Sequence, residues 1–401
     1  MSKRVFFICW VFFNTSALLF AQVPDSLLNK KSKTPDFPEM DLFDLGDRIT
    51  GRPYKRGSTK PQTITVLPSF NYSQHTSWAF GALSNISFHL GTSKKTNLSV
   101  FNLFALYTLN KQIILMVKPG IWSNDNLFNI VGDWRFYKYP SYTYGLGPET
   151  TKADKQLIEF SYFRFYQLVY RKLMPGLYAG GGYNLDYRYD IEQKAGLETT
   201  DFKTYDGLSK TNSSGFVLST LYDTRLNQIN PIPGAHYVNL AYRNNIKSLG
   251  STYDWQQIIL DARKYIAFPS NSVNILAFWS YNSLTFGGKV PYLDLPASSM
   301  DTYDNQGRGY IQGRFRSNRL LSFETEYRFK LTRNRLLGGV VFSNMQAVDD
   351  PKTKKFNSVF PAAGFGLRIK LDKRSNTNAA IDYSFGINGE RGFSFNLGEV
   401  F

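Results

Sequence analysis

Cysteine and histidine are scarce in this chain of 401 residues. Its one cysteine is Cys9, and its three histidines are His75, His89 and His236. Cys9 lies in an apolar run that follows Lys3 and Arg4 and ends at Ala21, which is the pattern of a secretory signal peptide. Cleavage there would remove residues 1–21 and leave no disulfide, thiolate metal site or cysteine nucleophile.

The histidines do not indicate catalysis either. A catalytic histidine needs an oriented serine or acid on the same rim, and the sequence marks no such partner and no cluster of metal ligands. We therefore expect no enzyme activity, no metal and no cofactor, with the histidines as ordinary strand or loop residues.

Long apolar runs are also missing beyond Ala21, where no segment approaches the roughly 20 residues that a spanning helix needs. The mean hydropathy is −0.31. A transmembrane barrel is compatible with this value, because only every second residue of its strands faces lipid. Aromatic residues make up 16% of the chain and Gly occurs 31 times, which favours strands and tight turns.

Charge of one sign dominates, since the formal net charge is +16. Lys and Arg are spread through every segment, whereas nucleic-acid binding calls for a clustered patch. We therefore expect no nucleic-acid partner. A polar lumen and contact with a lipid bilayer or lipopolysaccharide account for scattered positive charge better.

The chain divides by its patterning. Residues 22–62 are polar and Pro-rich, and we expect an extended periplasmic or lumenal lead-in with a short helical turn near residues 39–49. From residue 63 to 401 the sequence alternates, so that Phe365 and Leu367 oppose Arg368 and Lys370. Period-two alternation predicts strands between two environments, here lipid and a wet lumen. A soluble β-sandwich would alternate too, but without such long, aromatic strands.

About sixteen strands can be counted. They are predicted to begin near residues 63, 78, 96, 111, 126, 157, 175, 213, 234, 254, 272, 319, 334, 357, 376 and 391. Short turns alternate with a set that includes long loops near 139–156, 191–212 and 286–318, an asymmetry typical of outer-membrane barrels. We therefore predict an all-β, sixteen-stranded antiparallel transmembrane β-barrel in the outer membrane. Phe401 should close its last, aromatic strand as a C-terminal signal.

The longest of these loops contains "NQGRGYIQGRFR", residues 305–316. A Gly-rich basic loop can bind phosphate at a helix N-terminus, but no helix follows here. "GRGYIQGRF" resembles the Arg-Gly-Phe/Tyr motif in the sixth loop of the BamA/TamA superfamily of assembly and translocation barrels. "LYDTRLNQINPIPGAHY", with Asp223, Arg225, Pro231 and Gly234, is similar to its strand-turn-strand motif, and residues 360–401 match its terminal strands.

The resemblance implies that this loop folds into the lumen. Arg308 would be held there by acidic and polar side chains, Gly309 would let the backbone pass close to the wall, and Tyr310 would pack beside it. Alternation places Glu324, Glu326, Arg328 and Lys330 on the lumenal face of one strand, and Glu326 matches the family acid. The alternative is a solvated loop arginine.

The next strand departs from the family pattern. Phe342 is retained, but Asn344 stands where the family usually has Asp, and Gln346 where it has Gly. We expect Asn344 to accept a hydrogen bond from the guanidinium without supplying full charge, which would weaken the attachment of the loop.

A second departure is the lead-in, which is too short for a periplasmic POTRA domain, so the chain resembles a POTRA-less branch. The family function would be to assist insertion or translocation of unfolded outer-membrane clients through a lateral seam between the first and last strands, with periplasmic or lipoprotein subunits as possible partners. Pro68 in the first strand either weakens that seam or simply ends the strand. The alternative function is a passive channel or a structural subunit.

Overall fold

Sixteen strands form one antiparallel sheet in the computed structural model, and each strand pairs with its neighbours in sequence order. The structure describes residues 37–51, 62–73, 77–91, 96–97, 99–195, 201–373 and 376–401. The strands are β1 (Gln62–Ser73), β2 (Ser77–Phe88), β3 (Ser99–Thr108), β4 (Ile113–Trp122), β5 (Phe128–Thr143), β6 (Gln156–Met174), β7 (Leu177–Ala195), β8 (Thr211–Asp223), β9 (His236–Asn245), β10 (Trp255–Ala267), β11 (Ile275–Phe286), β12 (Arg319–Lys330), β13 (Leu337–Val348), β14 (Phe360–Asp372), β15 (Thr377–Gly386) and β16 (Arg391–Leu397).

These bounds confirm the predicted strand pattern. The largest difference in a starting position is three residues, as for the strand predicted from 96 that begins at Ser99. β6 and β7 each contain 19 residues, well beyond the 9–11 or so that cross a membrane, so these two extend past it. β1 runs through Pro68 to Ser73, so the interpretation that Pro68 ends the strand is wrong.

The sheet buries its polar face and exposes its apolar one. Along β12, Ser322, Glu324, Glu326 and Arg328 are buried, and the residues between them are partly exposed. On β14 the side chain of Phe365 is 55% exposed, while Arg368 is 4% exposed. A soluble sandwich has the opposite arrangement, so this sheet has lipid outside and a polar interior.

A long segment between β11 and β12, residues 287–318, fills the interior, and we call it the interior loop. Its apolar residues Leu293 and Leu295 share a buried cluster with side chains of β4–β7 and β10. Its Arg308 reaches β12 and β15 on another side. One loop can contact strands this far apart in the sheet only because the sheet curls around it, as in a β-barrel.

The other described elements are two α-helices, α1 (Leu42–Thr50) and α2 (Asp201–Tyr205), and four short 3-10 helices at Asn124–Asn126, Lys152–Asp154, Lys247–Leu249 and Tyr292–Asp294. α1 begins with reciprocal capping by Asp41 and Asp44 and is followed by Gly51 in the left-handed conformation. Lys373 in the β14–β15 turn donates to Asp44 at 2.7 Å, which holds α1 against the turn end of the barrel. The described residues contain no helix long and apolar enough to span a membrane.

The chain end corrects one prediction. β16 stops at Leu397 and does not run on to Phe401, because Gly398 adopts φ +93° and turns the backbone inward. Phe401 is buried, with its ring 5.1 Å from that of Trp279, and its carbonyl oxygen accepts from Arg328 Nη2 at 2.7 Å. The aromatic alternation holds for the strand and fails after Gly398. The role of Phe401 as a C-terminal signal stays a prediction.

Candidate functional site

Arg308 lies in the centre of a buried acidic pocket on the interior wall. Its Nε donates to Glu324 at 2.8 Å, Nη1 donates to Asp382 at 2.8 Å, and Nη2 donates to both Glu324 and Glu326. Burial alone would lower the pKa of this guanidinium, but the three carboxylates outweigh it and hold the pKa above its ordinary value. The arginine is therefore permanently charged and fully paired.

The pocket continues into a wider ion network. Glu326 also accepts from Arg328 at 2.6 Å. Arg368 pairs with Asp382 and, at 2.7 Å, with Glu399. Glu399 can take part because the turn at Gly398 brings it inside. The network thus ties the interior loop to β12, β14, β15 and the chain end.

Asn344 does not act as the sequence predicts. Its Nδ2 donates to the main-chain oxygen of Arg308 at 2.8 Å, so it orients the loop backbone and does not accept from the guanidinium. Glu324 and Asp382 supply Arg308 with the negative charge that Asn344 lacks. Phe342 lies under the guanidinium, with 3.5 Å from its ring centroid to Arg308 Cζ, a cation–π contact.

Gly309 and Tyr310 continue the contact with the wall. Gly309 has φ +106°, and a Cβ there would lie 2.8 Å from Cβ of Ala362. Both the backbone angle and the close approach therefore require glycine. The Tyr310 hydroxyl donates to Pro361 O at 2.7 Å and accepts from the main-chain nitrogen of Ile387 at 3.2 Å.

Other contacts attach the interior loop to the remaining strands and loops. Thr302 O accepts from Lys118 on β4 at 2.9 Å and from Arg135 on β5 at 2.6 Å. Arg314 pairs with Glu390 in the β15–β16 turn at 2.8 Å. On the wall opposite Arg308, Asp294 pairs with Arg188 of β7. The loop is therefore attached on more than one side.

The strand-turn motif lies in the β8–β9 turn, away from Arg308. Asp223 and Arg225 form a two-pronged ion pair, with Nε and Nη2 each 2.9 Å from a carboxylate oxygen. Pro231 and Gly234 stand in the same turn, where Gly234 has φ +90° and donates from its nitrogen to Tyr265 O at 2.8 Å. The motif therefore shapes a turn and does not join the pocket around Arg308.

His89 and His236 lie far apart along the sheet. His89 Nδ1 lies 3.2 Å from the carbonyl oxygen of Thr96, His236 opens β9, and His75 lies outside the described residues. No group of three or more His, Cys, Asp or Glu side chains in the described ranges is placed to hold a metal ion.

Sequence reasoning omitted two partners of Arg308. The available signal was alternation, which puts Glu324 on the lumenal face of its strand and Asp382 opposite Ile381, Tyr383 and Phe385. The depth to which the loop inserts decides which polar residues it meets, and that depth depends on contacts between residues far apart in sequence.

The arrangement, a curled antiparallel sheet with lipid-facing apolar side chains and a loop fixed in its interior, defines an outer-membrane β-barrel protein. Known structures agree. BamA from Haemophilus ducreyi, solved without POTRA domains 1–3, matches with a TM-score of 0.57 and 12% identity over 85% of this chain and 70% of that chain. CdiB from Acinetobacter baumannii matches with a TM-score of 0.54 and 9% identity, and CdiB from Escherichia coli with 0.54 and 8%.

The two CdiB matches cover 86% and 85% of this chain, which spans only 61% and 63% of the CdiB chains, less than two thirds. No family model and no curated protein matches the sequence. At these identities the likeness is one of fold. The chain is an outer-membrane barrel protein with the fold of BamA and CdiB.

Proposed function

We propose that this barrel belongs to the BamA/TamA superfamily and assists the insertion or translocation of proteins at the outer membrane. The observation that carries the proposal is the interior loop, whose Arg308 meets three carboxylates in a barrel of the BamA and CdiB fold. A loop with this motif, fixed at this depth, is the feature that the resemblance predicts. It also fills the interior, which argues against a wide passive channel.

The proposed mechanism uses the terminal strands β1 and β16. A sheet edge offers unpaired N–H and C=O groups, and an unfolded client strand can add to it by ordinary ladder hydrogen bonds. Pro68 lies inside β1 and has no N–H to donate, so pairing along this strand is locally weaker. Clients would then be unfolded outer-membrane proteins, with lipid and lipopolysaccharide around the seam.

The lead-in belongs to the same proposal. α1 rests on the turn end of the barrel, where Arg335 of the β12–β13 turn pairs with Glu39 and Lys373 pairs with Asp44. This end faces the periplasm if residues 1–21 act as a signal peptide and the sheet has an even strand number. Periplasmic or lipoprotein subunits would have access to α1 there.

The test is to close the seam with a disulfide. A panel of cysteine pairs, one near Ile64 in β1 and one near Leu397 in β16, would replace the natural protein in its host. We expect oxidation to lower the amounts of other outer-membrane proteins, and a reductant to restore them, because clients could no longer reach the edges.

The matched control joins two strands that already pair. Ser219 and Ala241 stand opposite each other on β8 and β9, so a disulfide there leaves the seam free. If the seam pairs behave like this control, lateral opening plays no part, and a channel or structural subunit becomes the better interpretation. Conductance of the purified barrel in planar bilayers then separates these two.

A further inference from the structure

A cavity of about 60 Å³ lies inside the barrel between the interior loop and strands β5–β7. Four arginine side chains line it, three from the strands and one from the loop: Arg135, Arg164, Arg188 and Arg316. This wall faces the part of the loop that does not touch the Arg308 pocket. A concentration of guanidinium groups around one cavity raises the question of how their charges are balanced.

The three strand arginines have carboxylate partners. These pairs are Arg135 with Asp133, Arg164 with Asp186, and Arg188 with Asp294. Their charges are therefore compensated within the wall and the loop. Asp304, which also lines the cavity, lies 3.7 Å from Arg135.

Arg316 has no such partner. Its Nη1 donates to the carbonyl oxygens of Tyr292 at 3.1 Å and Leu295 at 3.2 Å, and its Nε makes no hydrogen bond. Among the described residues, no carboxylate lies within ion-pair distance of it. The residue is 4% exposed, and burial lowers the pKa of its guanidinium, although Tyr292 and Asp294 oppose this shift.

We propose that this cavity binds a small inorganic anion of the size of chloride beside Arg316. A buried, uncompensated charge is strongly unfavourable, and an anion drawn from solution removes that penalty. The cavity has room, because one water needs only about 10–15 Å³ on the same measure. The Arg316 guanidinium lines the cavity and keeps donors that the two carbonyl oxygens do not use.

The anion would act as a second fastening for the interior loop. Arg316 comes from the loop, and Arg164 and Arg188 come from β6 and β7, so an anion between them joins loop and wall. Arg308 fixes the loop on β12 and β15. The inference concerns this attachment alone and holds whether or not the proposed function is correct.

The first experiment is crystallographic. Crystals of the full chain in detergent are soaked in bromide, and anomalous scattering locates the ion. We expect a peak within hydrogen-bond reach of the Arg316 guanidinium. A cavity without anomalous density there at high bromide overturns the proposal, and this measurement needs no variant.

The second experiment measures thermal unfolding in chloride and in gluconate at equal sodium concentration, so that screening is matched. Gluconate is a larger and more weakly coordinating anion than chloride. We expect the unfolding midpoint to rise with the logarithm of chloride concentration, as for a ligand that binds only the folded state.

Arg316→Gln should lose this dependence. Arg263→Gln should keep it, because Arg263 pairs with Asp261 and does not line the cavity. Equal chloride responses in these two variants would contradict a site at Arg316. Should Arg316→Gln fail to fold, the bromide peak in the unaltered protein decides.

Discussion

Arg308 belongs to a buried cluster of three arginine and four acidic side chains. The network contains Arg308, Arg328 and Arg368 against Glu324, Glu326, Asp382 and Glu399. The acids exceed the arginines by one. Glu324 is the most dependent of them, because Arg308 is its one ion-pair and hydrogen-bond partner in the described residues and its Oε2 makes no hydrogen bond.

This balance predicts a double-mutant result. Arg308→Ala leaves buried carboxylates without their cation, and we expect it to lower the free energy of unfolding by about 3–5 kcal/mol. Combining Arg308→Ala with Glu324→Gln also removes the carboxylate that Arg308→Ala leaves buried and unpaired. The double variant should therefore recover part of the lost stability. Urea unfolding of the barrel from lipid vesicles measures both. A double variant no more stable than Arg308→Ala would show that Glu324 does not carry the unpaired charge.

At the scale of elements, the strands could be predicted from the sequence, but the contacts of the interior loop could be predicted only in part. Each strand is encoded locally, since alternation fixes which side chains share a face. The sequence placed Arg308 and Glu326 together only through the family resemblance. It missed Asp382, because β15 meets Arg308 only once the sheet has curled. It also extended β16 to Phe401, because Phe401 continues the aromatic face beyond Glu399, the one residue that interrupts the alternation there.

The close passage of the loop along the wall gives an element-scale prediction. Gly309 and Gly234 have similar backbone angles, φ +106° and +90°, but a Cβ on Gly309 would meet Ala362 at 2.8 Å, while one on Gly234 would meet nothing within 4 Å. Alanine costs each position about 1–2 kcal/mol through its left-handed backbone. Only Gly309→Ala also pushes the loop off the wall.

We therefore expect trypsin to cleave the interior loop at Arg308, Arg314 or Arg316 faster in Gly309→Ala than in the natural protein. Gly234→Ala should leave this rate unchanged, because a Cβ there would meet nothing within 4 Å. Mass spectrometry of the fragments locates the cuts. Equal cleavage in the two variants would mean that the contact with Ala362 does not hold the loop.

Across the whole molecule, many polar side chains are buried and many apolar ones are exposed, the reverse of a soluble protein. On one face of β8, Ser213 and Ser219 are 0% and 4% exposed, whereas Phe216 and Leu218 on the other face are 57% and 66% exposed. The low mean hydropathy is a consequence of this arrangement, since the lumenal half of every strand is free to be polar. The scattered positive charge is absorbed in the same way, in ion pairs inside the barrel such as Arg243 with Asp186 at 2.6 Å.

A charge on the outer face tests this assignment. Leu218 stands near the centre of β8, where the strand should cross the middle of the bilayer. Leu218→Arg should lower the free energy of unfolding from lipid vesicles by about 2–4 kcal/mol, because the guanidinium must enter hydrocarbon. Leu218→Met keeps an apolar side chain of similar volume and should change it little. Urea titration of both variants in vesicles measures the difference, and equal stabilities would place Leu218 in water and β8 outside the membrane.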